Sequence, residues 1–139
     1  MEMHILRVFL AALGAFVVYF AVGTIGFVAL PSMKKEFEKH PTVFRSSDAL
    51  MKMMPIGMAG LFLAMLALAV LYALMYRGGP GFIWGLHFGV LIGVFVLGAF
   101  VLHNHMNLNI SWKLTIQSGI AYFVEWVAVG IVIGLIYQP

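Results

Sequence analysis

Cysteine is absent from this chain. That excludes a disulfide framework, a thiolate metal site and a cysteine nucleophile, and it leaves the redox compartment unread. Charge is nearly as scarce: Asp, Glu, Lys and Arg make up 9% of the residues, where a soluble domain carries about 25%. The motifs of common catalytic machineries are missing too, with no GxSxG, no HExxH, no phosphate-binding glycine–lysine loop and no paired carboxylates. The expectation is a protein that is not an enzyme. The net charge of +3 rests on few basic residues gathered mostly in one loop, a pattern that fits membrane orientation and argues against nucleic acid as a partner.

What is present is apolar. Hydrophobic residues make up 63% of the 139, and the mean hydropathy is +1.05. A water-soluble chain this short buries the smallest share of its surface and could not hide so much, so the lipid bilayer is the expected solvent. Four stretches reach the roughly 20 residues that cross a hydrocarbon core as a helix: 5–30, 54–76, 82–102 and 114–137. The fold class expected is an all-α membrane protein, a four-transmembrane-helix antiparallel bundle forming one membrane domain over 1–139. The first apolar run is too long for a signal peptide and lacks a small-x-small cleavage site.

The connections alternate in length. The loop 31–53 is long and charged, "RGGPG" at 77–81 is a tight turn of helix breakers, and "LHNHMNLN" at 102–109 opens the third connection. Lys34, Lys35, Lys39, Arg45, Lys52 and Lys113 fall on one membrane side, with Arg7 and Arg77 on the other. Positive-inside orientation then places the long loop in the cytoplasm and both termini outside. Within that loop a short surface helix is expected over 33–40, stopped by Pro41, with Lys34 and Glu38 spaced to pair. Ser46, Ser47 and Asp48 are plausible caps for the second span, and Pro55 falls in its first turns.

Helices in lipid associate through close contact, because lipid tails are as apolar as leucine. Gly85, Gly89 and Gly93 recur every fourth residue and line one helix face; Gly130 and Gly134 repeat the device in the last span. Gly60, Ala64, Ala69 and Ala73 in the second span, and Ala11, Ala15 and Gly23 in the first, extend the pattern. These faces predict a compact bundle in which short connections make consecutive spans neighbours. A spare small-residue face would seat other membrane subunits or a second copy in a homo-oligomer. Trp84, Trp112 and Tyr137 fall near span ends, where amphipathic rings settle at the headgroups.

One charge breaks the apolar pattern. Glu125 lies near the centre of the fourth span, and no Lys or Arg lies at its depth in the others. A carboxylate there costs about 2.5–3.5 kcal/mol or more, so the residue must face the interior, pair, or keep its proton, and the neutral acid is expected. Tyr19, at similar depth in the first span, and Tyr122, one turn away on the same helix, are its expected partners; His87 is a more distant one. An intramembrane acid of this kind reads as a proton or cation site, as structural glue between helices, or as a contact for another subunit.

The histidines and methionines raise a metal question. His103, His105 and Met106 follow the third span, and Met54 falls among Met51, Met53 and Met58 on the same expected membrane side. Imidazole and thioether ligands without cysteine suit copper(I), provided the chain turns at 103–106, since residues two apart on a helix point about 200° from each other. Opposing this, a polar rim at a helix end accounts for the same residues. The alternative of a haem or pigment contact rests on His87, the one histidine within a span, flanked by Gly85 and Gly89.

The last two spans, with their Asn-rich turn, the Glu125–Trp126 pair and the ending "GIVIGLIY", resemble small four-span bacterial integral membrane proteins of unassigned function. That resemblance implies a multi-pass protein of the bacterial inner (plasma) membrane and transfers no site residues. Three functions are consistent with the sequence. The foremost is a non-catalytic accessory or assembly subunit of a larger membrane complex. The others are a small proton- or cation-coupled transporter using Glu125, and a protein contacting copper, haem or pigment; most simply, no cofactor is bound.

Overall fold

The computed structural model describes residues 4–138. Five helices follow one another without strands among the described residues: α1 (Ile5–Ala29), α2 (Pro31–Glu38), α3 (Ser47–Met75), α4 (Gly81–Asn107) and α5 (Trp112–Tyr137). Four of them, α1, α3, α4 and α5, are long and apolar enough to span a membrane. The chain is an all-α membrane helical bundle.

Local chemistry sets the ends. The Ser46 hydroxyl accepts from the Ala49 amide at 3.4 Å and opens α3; the Ser111 hydroxyl accepts from Leu114 at 3.1 Å and opens α5. Gly78 and Gly79 carry φ values of +95° and +105°, a conformation that L side chains avoid, and so turn the chain between α3 and α4. The Tyr76 hydroxyl closes that turn by donating to the Gly79 carbonyl at 2.5 Å.

The short surface helix lies two residues earlier than expected, at Pro31–Glu38, and two span boundaries differ from the sequence expectation by several residues. Helix α3 starts at Ser47, well before the apolar run, because the Ser46 cap sets its first turn. With 29 residues it is about 43 Å long against a hydrocarbon core of about 30 Å. Helix α4 does not stop at Leu102. It passes through a π-helical segment, Leu97–Leu102, and resumes as helix over His103–Asn107. The extra residue per turn in a π segment re-aims the following side chains.

The spatial order is not the chain order. Helix α5 lies at the centre, packed along α4 on one side and α1 on the other, while α3 packs along α1 and reaches α5 where Tyr72 and Tyr76 meet Tyr137. The joined pair α3 and α4 meets near the turn, where Tyr72 packs edge-on against Phe88 and Tyr76 against Trp84, rather than along its length. The expectation that every consecutive pair would be neighbours therefore fails for this one. A short turn fixes only the ends it joins.

The α4–α5 seam is backbone against backbone. A methyl group at Gly85 would fall 2.5 Å from the Gly130 carbonyl oxygen, and one at Gly89 would fall 2.7 Å from that of Val127. Gly134 is pressed on Gly81 and Gly85, while Gly93 receives the Phe123 ring. All five expected packing glycines lie in this seam, together with Gly81. On the other side Ala11 and Ala15 of α1 and Ala69 and Ala73 of α3 are buried as expected, with Ala12 buried beside them. Gly60 and Ala64 are not: both are exposed, and Gly60 faces open space. Every residue from 50 to 60 is exposed, so this half of α3 stands clear of the bundle.

Candidate intramembrane binding site

Helix α5 turns Glu125 inward, toward α1. The residue is only 6% exposed, and its carboxyl lies over Gly23, where a methyl group would come within 2.6 Å of Oε1. Gly23 is thus not a helix-packing position, as its place in a small-residue series indicates, but the gap that admits the acid. Tyr19 lines the same space as the carboxyl, yet Oε2 is buried without a hydrogen-bond partner among the described residues. Buried polar atoms are bonded in the great majority of cases, and an exception calls for a reason.

The surroundings supply one. Glu125, Tyr19, Gly23, Thr24 and Tyr122 line a cleft of about 560 Å³ between α1, α5 and the opening turns of α3, roofed by Met33 and Phe37 of α2. The clear-standing half of α3 is what leaves this space unfilled. A second cleft of about 310 Å³ lies on the α4 side, where Phe100 and Val101 of the π segment form a wall. Tyr19, Tyr122 and Phe37 border both clefts. Trp126, the mid-span tryptophan, packs on Tyr19 with ring centroids 5.4 Å apart and steadies that partition.

The roof is latched by polar groups. Glu36 of α2, itself buried, accepts from Lys39 Nζ at 2.6 Å and from the Ser111 hydroxyl at 3.0 Å, and lies 3.5 Å from Lys113 Nζ. The Ser111 amide donates to His40 Nε2 at 3.4 Å, and Gln117 Nε2 donates to the Ser32 hydroxyl at 2.8 Å. Placing a carboxylate beside the N-terminus of α5 also matches the helix dipole. The Lys39 hydrogen bond, aided by Ser111 and Lys113, holds the Glu36 carboxyl below its ordinary value of 4.5. The acid on which cations converge is thus Glu36, and not the Glu38 expected to pair with Lys34. A pair spaced along one helix can be read from sequence; a bond from residue 36 to residue 111 cannot.

The remaining expected site residues do not assemble. His87 is exposed at the opposite end of the bundle, beside a recess of about 60 Å³ lined by Tyr72, Tyr76 and Trp84. It takes no part in the Glu125 cleft. That recess is too small for a porphyrin, and the flanking Gly85 and Gly89 are filled by the α5 backbone. At the far end of α4 the chain stays helical, so His103 and His105 point about 200° apart. His105 is tied to α5, with Nδ1 2.7 Å from Thr115 Oγ1 and its ring 3.8 Å from that of Trp112. His103 and Met106 are exposed, and Met54 lies on the clear-standing half of α3. The copper set therefore does not converge, and the segment quoted for it is a helix end pinned to its neighbour. No family model, no curated protein and no solved structure matches this chain.

Proposed function

We propose that this protein is a small multi-pass transporter of the bacterial inner membrane that binds and releases a proton or another cation at Glu125. The observation that carries this reading is the unpartnered Oε2 of a nearly buried acid lining a roofed cleft. Structural glue is the competing role for an intramembrane acid, and it calls for hydrogen bonds across helices that this oxygen does not make. Orientation by the positive-inside rule puts α2 and the cleft roof on the cytoplasmic side and both termini outside. In proteoliposomes loaded with a pH-sensitive dye, an imposed membrane potential should drive proton movement that Glu125→Gln removes. Equal flux in the two proteins would defeat the proposal.

A second reading has its own support. A half-span exposed on every side, including Met51, Met53, Met54 and Met58, is suited to an accessory subunit that lends a helix face to a larger membrane complex. Methionine packs adaptably against irregular partners. Extraction in a gentle detergent and identification of co-purifying membrane subunits tests it. A partner released by Met54→Lys would favour this reading, and recovery of the chain alone would count against it.

A further inference from the structure

We propose that the Glu125 cleft binds a lipophilic organic cation, an onium or protonated amine bearing aromatic or alkyl groups, with the carboxylate as its counter-ion and a proton as its competitor. The inference rests on the reading of Glu125 as a cation site and names the substrate class.

Three features of the cleft select that class. The first is charge: the lining includes one acid and no Lys, Arg or His, so an occupant that neutralises Glu125 must bring its own positive charge. The second is the wall. Tyr19, Phe20, Phe27, Phe37 and Tyr122 all border the space, and the negative faces of such rings attract a desolvated cation. An inorganic ion is poorly served by comparison. Hard cations require a shell of several oxygens, and this cleft offers one carboxyl, two phenols and the Thr24 hydroxyl on an otherwise apolar surface. An organic cation carries its own apolar surface, which matches those walls. The third feature is size and access. About 560 Å³ lies within the usual range for small-molecule sites. Leu50, on the exposed opening turns of α3, borders the cleft, so an amphiphilic cation has access from that side.

Exchange with a proton follows from the neighbours. The titratable groups facing Glu125 are Tyr19 on α1 and Tyr122 on its own helix; α2 and α3 present Met33, Phe37 and Leu50, which do not titrate. The carboxyl is therefore the one acid in the cleft, facing only phenols and groups that do not titrate. It holds either the proton or the cation.

The probe is tetraphenylphosphonium, with the full chain in lipid nanodiscs, empty nanodiscs as baseline and equilibrium dialysis as readout. Affinity should rise with pH, approaching about tenfold per pH unit in the acid limit of one-proton competition. Glu125→Gln should lose at least tenfold in affinity and all pH dependence, whereas His87→Ala, at the far end of the bundle, should bind as the native chain does. Should the glutamine variant fail to insert, the pH series on the native protein and the crowding variant Gly23→Ala decide the matter: pH-independent binding, or no loss on crowding, overturns the proposal. So does binding no better than empty nanodiscs. If that last result accompanies Glu125-dependent proton flux, the substrate class is wrong and the proton site stands. If flux is also absent, both fall.

Discussion

Helix α5 meets α4 through backbone and meets α1 through side chains, and the two contacts do different work. On the α4 side, glycines at 81, 85, 89, 130 and 134 bring main chains together with no room for a methyl group. On the α1 side, the Glu125 carboxyl occupies the space that Gly23 leaves, and beside it the bundle opens into a cleft that Tyr19 also lines. The same residue type closes one interface and admits an acid into the other. A small residue in a membrane helix marks a place where something comes close; whether that is a helix or a functional group depends on what the neighbour presents.

Substitutions in the seam should have the largest effect. Gly89→Val drives two methyl groups into the α5 backbone and should cost about 3 kcal/mol or more, read as reversible unfolding in mixed micelles. Gly60→Val, facing open space, should change stability by less than about 0.5 kcal/mol. Equal costs at the two sites would erase the distinction between a seam and an unpartnered face.

Glu125→Gln comes next, because it separates function from fold. Proton flux should be lost, while stability should shift by no more than about 0.6 kcal/mol, the average value of an interhelical hydrogen bond in a membrane protein. A large loss of stability in the same unfolding assay would return the acid to a structural role. Gly23→Ala should have an intermediate effect: the fold survives, since a flexible side chain can give way, but the carboxyl is displaced and cation affinity falls several-fold. Gly26→Ala, with nothing within 4 Å, should leave affinity unchanged. Both are measured by the dialysis assay.

The latch should give the smallest effect. Ionised Glu36 is favoured in the folded protein by Lys39, so its folded value lies below 4.5. Its contribution is then fully present above that ordinary value and lost as pH falls through the folded one. Amide exchange in α2, corrected for intrinsic rates, should be slow at neutral pH and accelerate in that acidic window, and Glu36→Gln should remove the pH step. Unchanged exchange would show that the apolar contacts of Met33 and Phe37 hold the roof without the ion pairs.

Much of this was legible in the residues. The four spans follow from apolar length, the seam from glycine spacing, and the company of Glu125 with Tyr19 from depth and with Tyr122 from one-turn spacing on the same helix. Three things were not. The order of helices in space depends on which faces match, and short turns such as Arg77–Gly81 constrain only their ends. The π segment at Leu97–Leu102 lies in an almost uniformly apolar run, where no polar face reveals a change of period. Burial of Glu36 arises from contacts with a helix far along the chain, and its neighbours in sequence are those of an exposed loop. His87 shows the opposite failure: as the one histidine within a span it is a natural site candidate, yet it is exposed and lies away from the cleft.

The most direct test of the account is an infrared difference spectrum of the protein in lipid with isotope-labelled glutamate, the Glu125 carboxyl band being assigned by its loss in Glu125→Gln. The account predicts a band that shifts when the surrounding water is exchanged for heavy water and changes again when tetraphenylphosphonium is added. A Glu125 band unmoved by either would mean a sealed structural acid, and would contradict the claim that this carboxyl lines an accessible cleft.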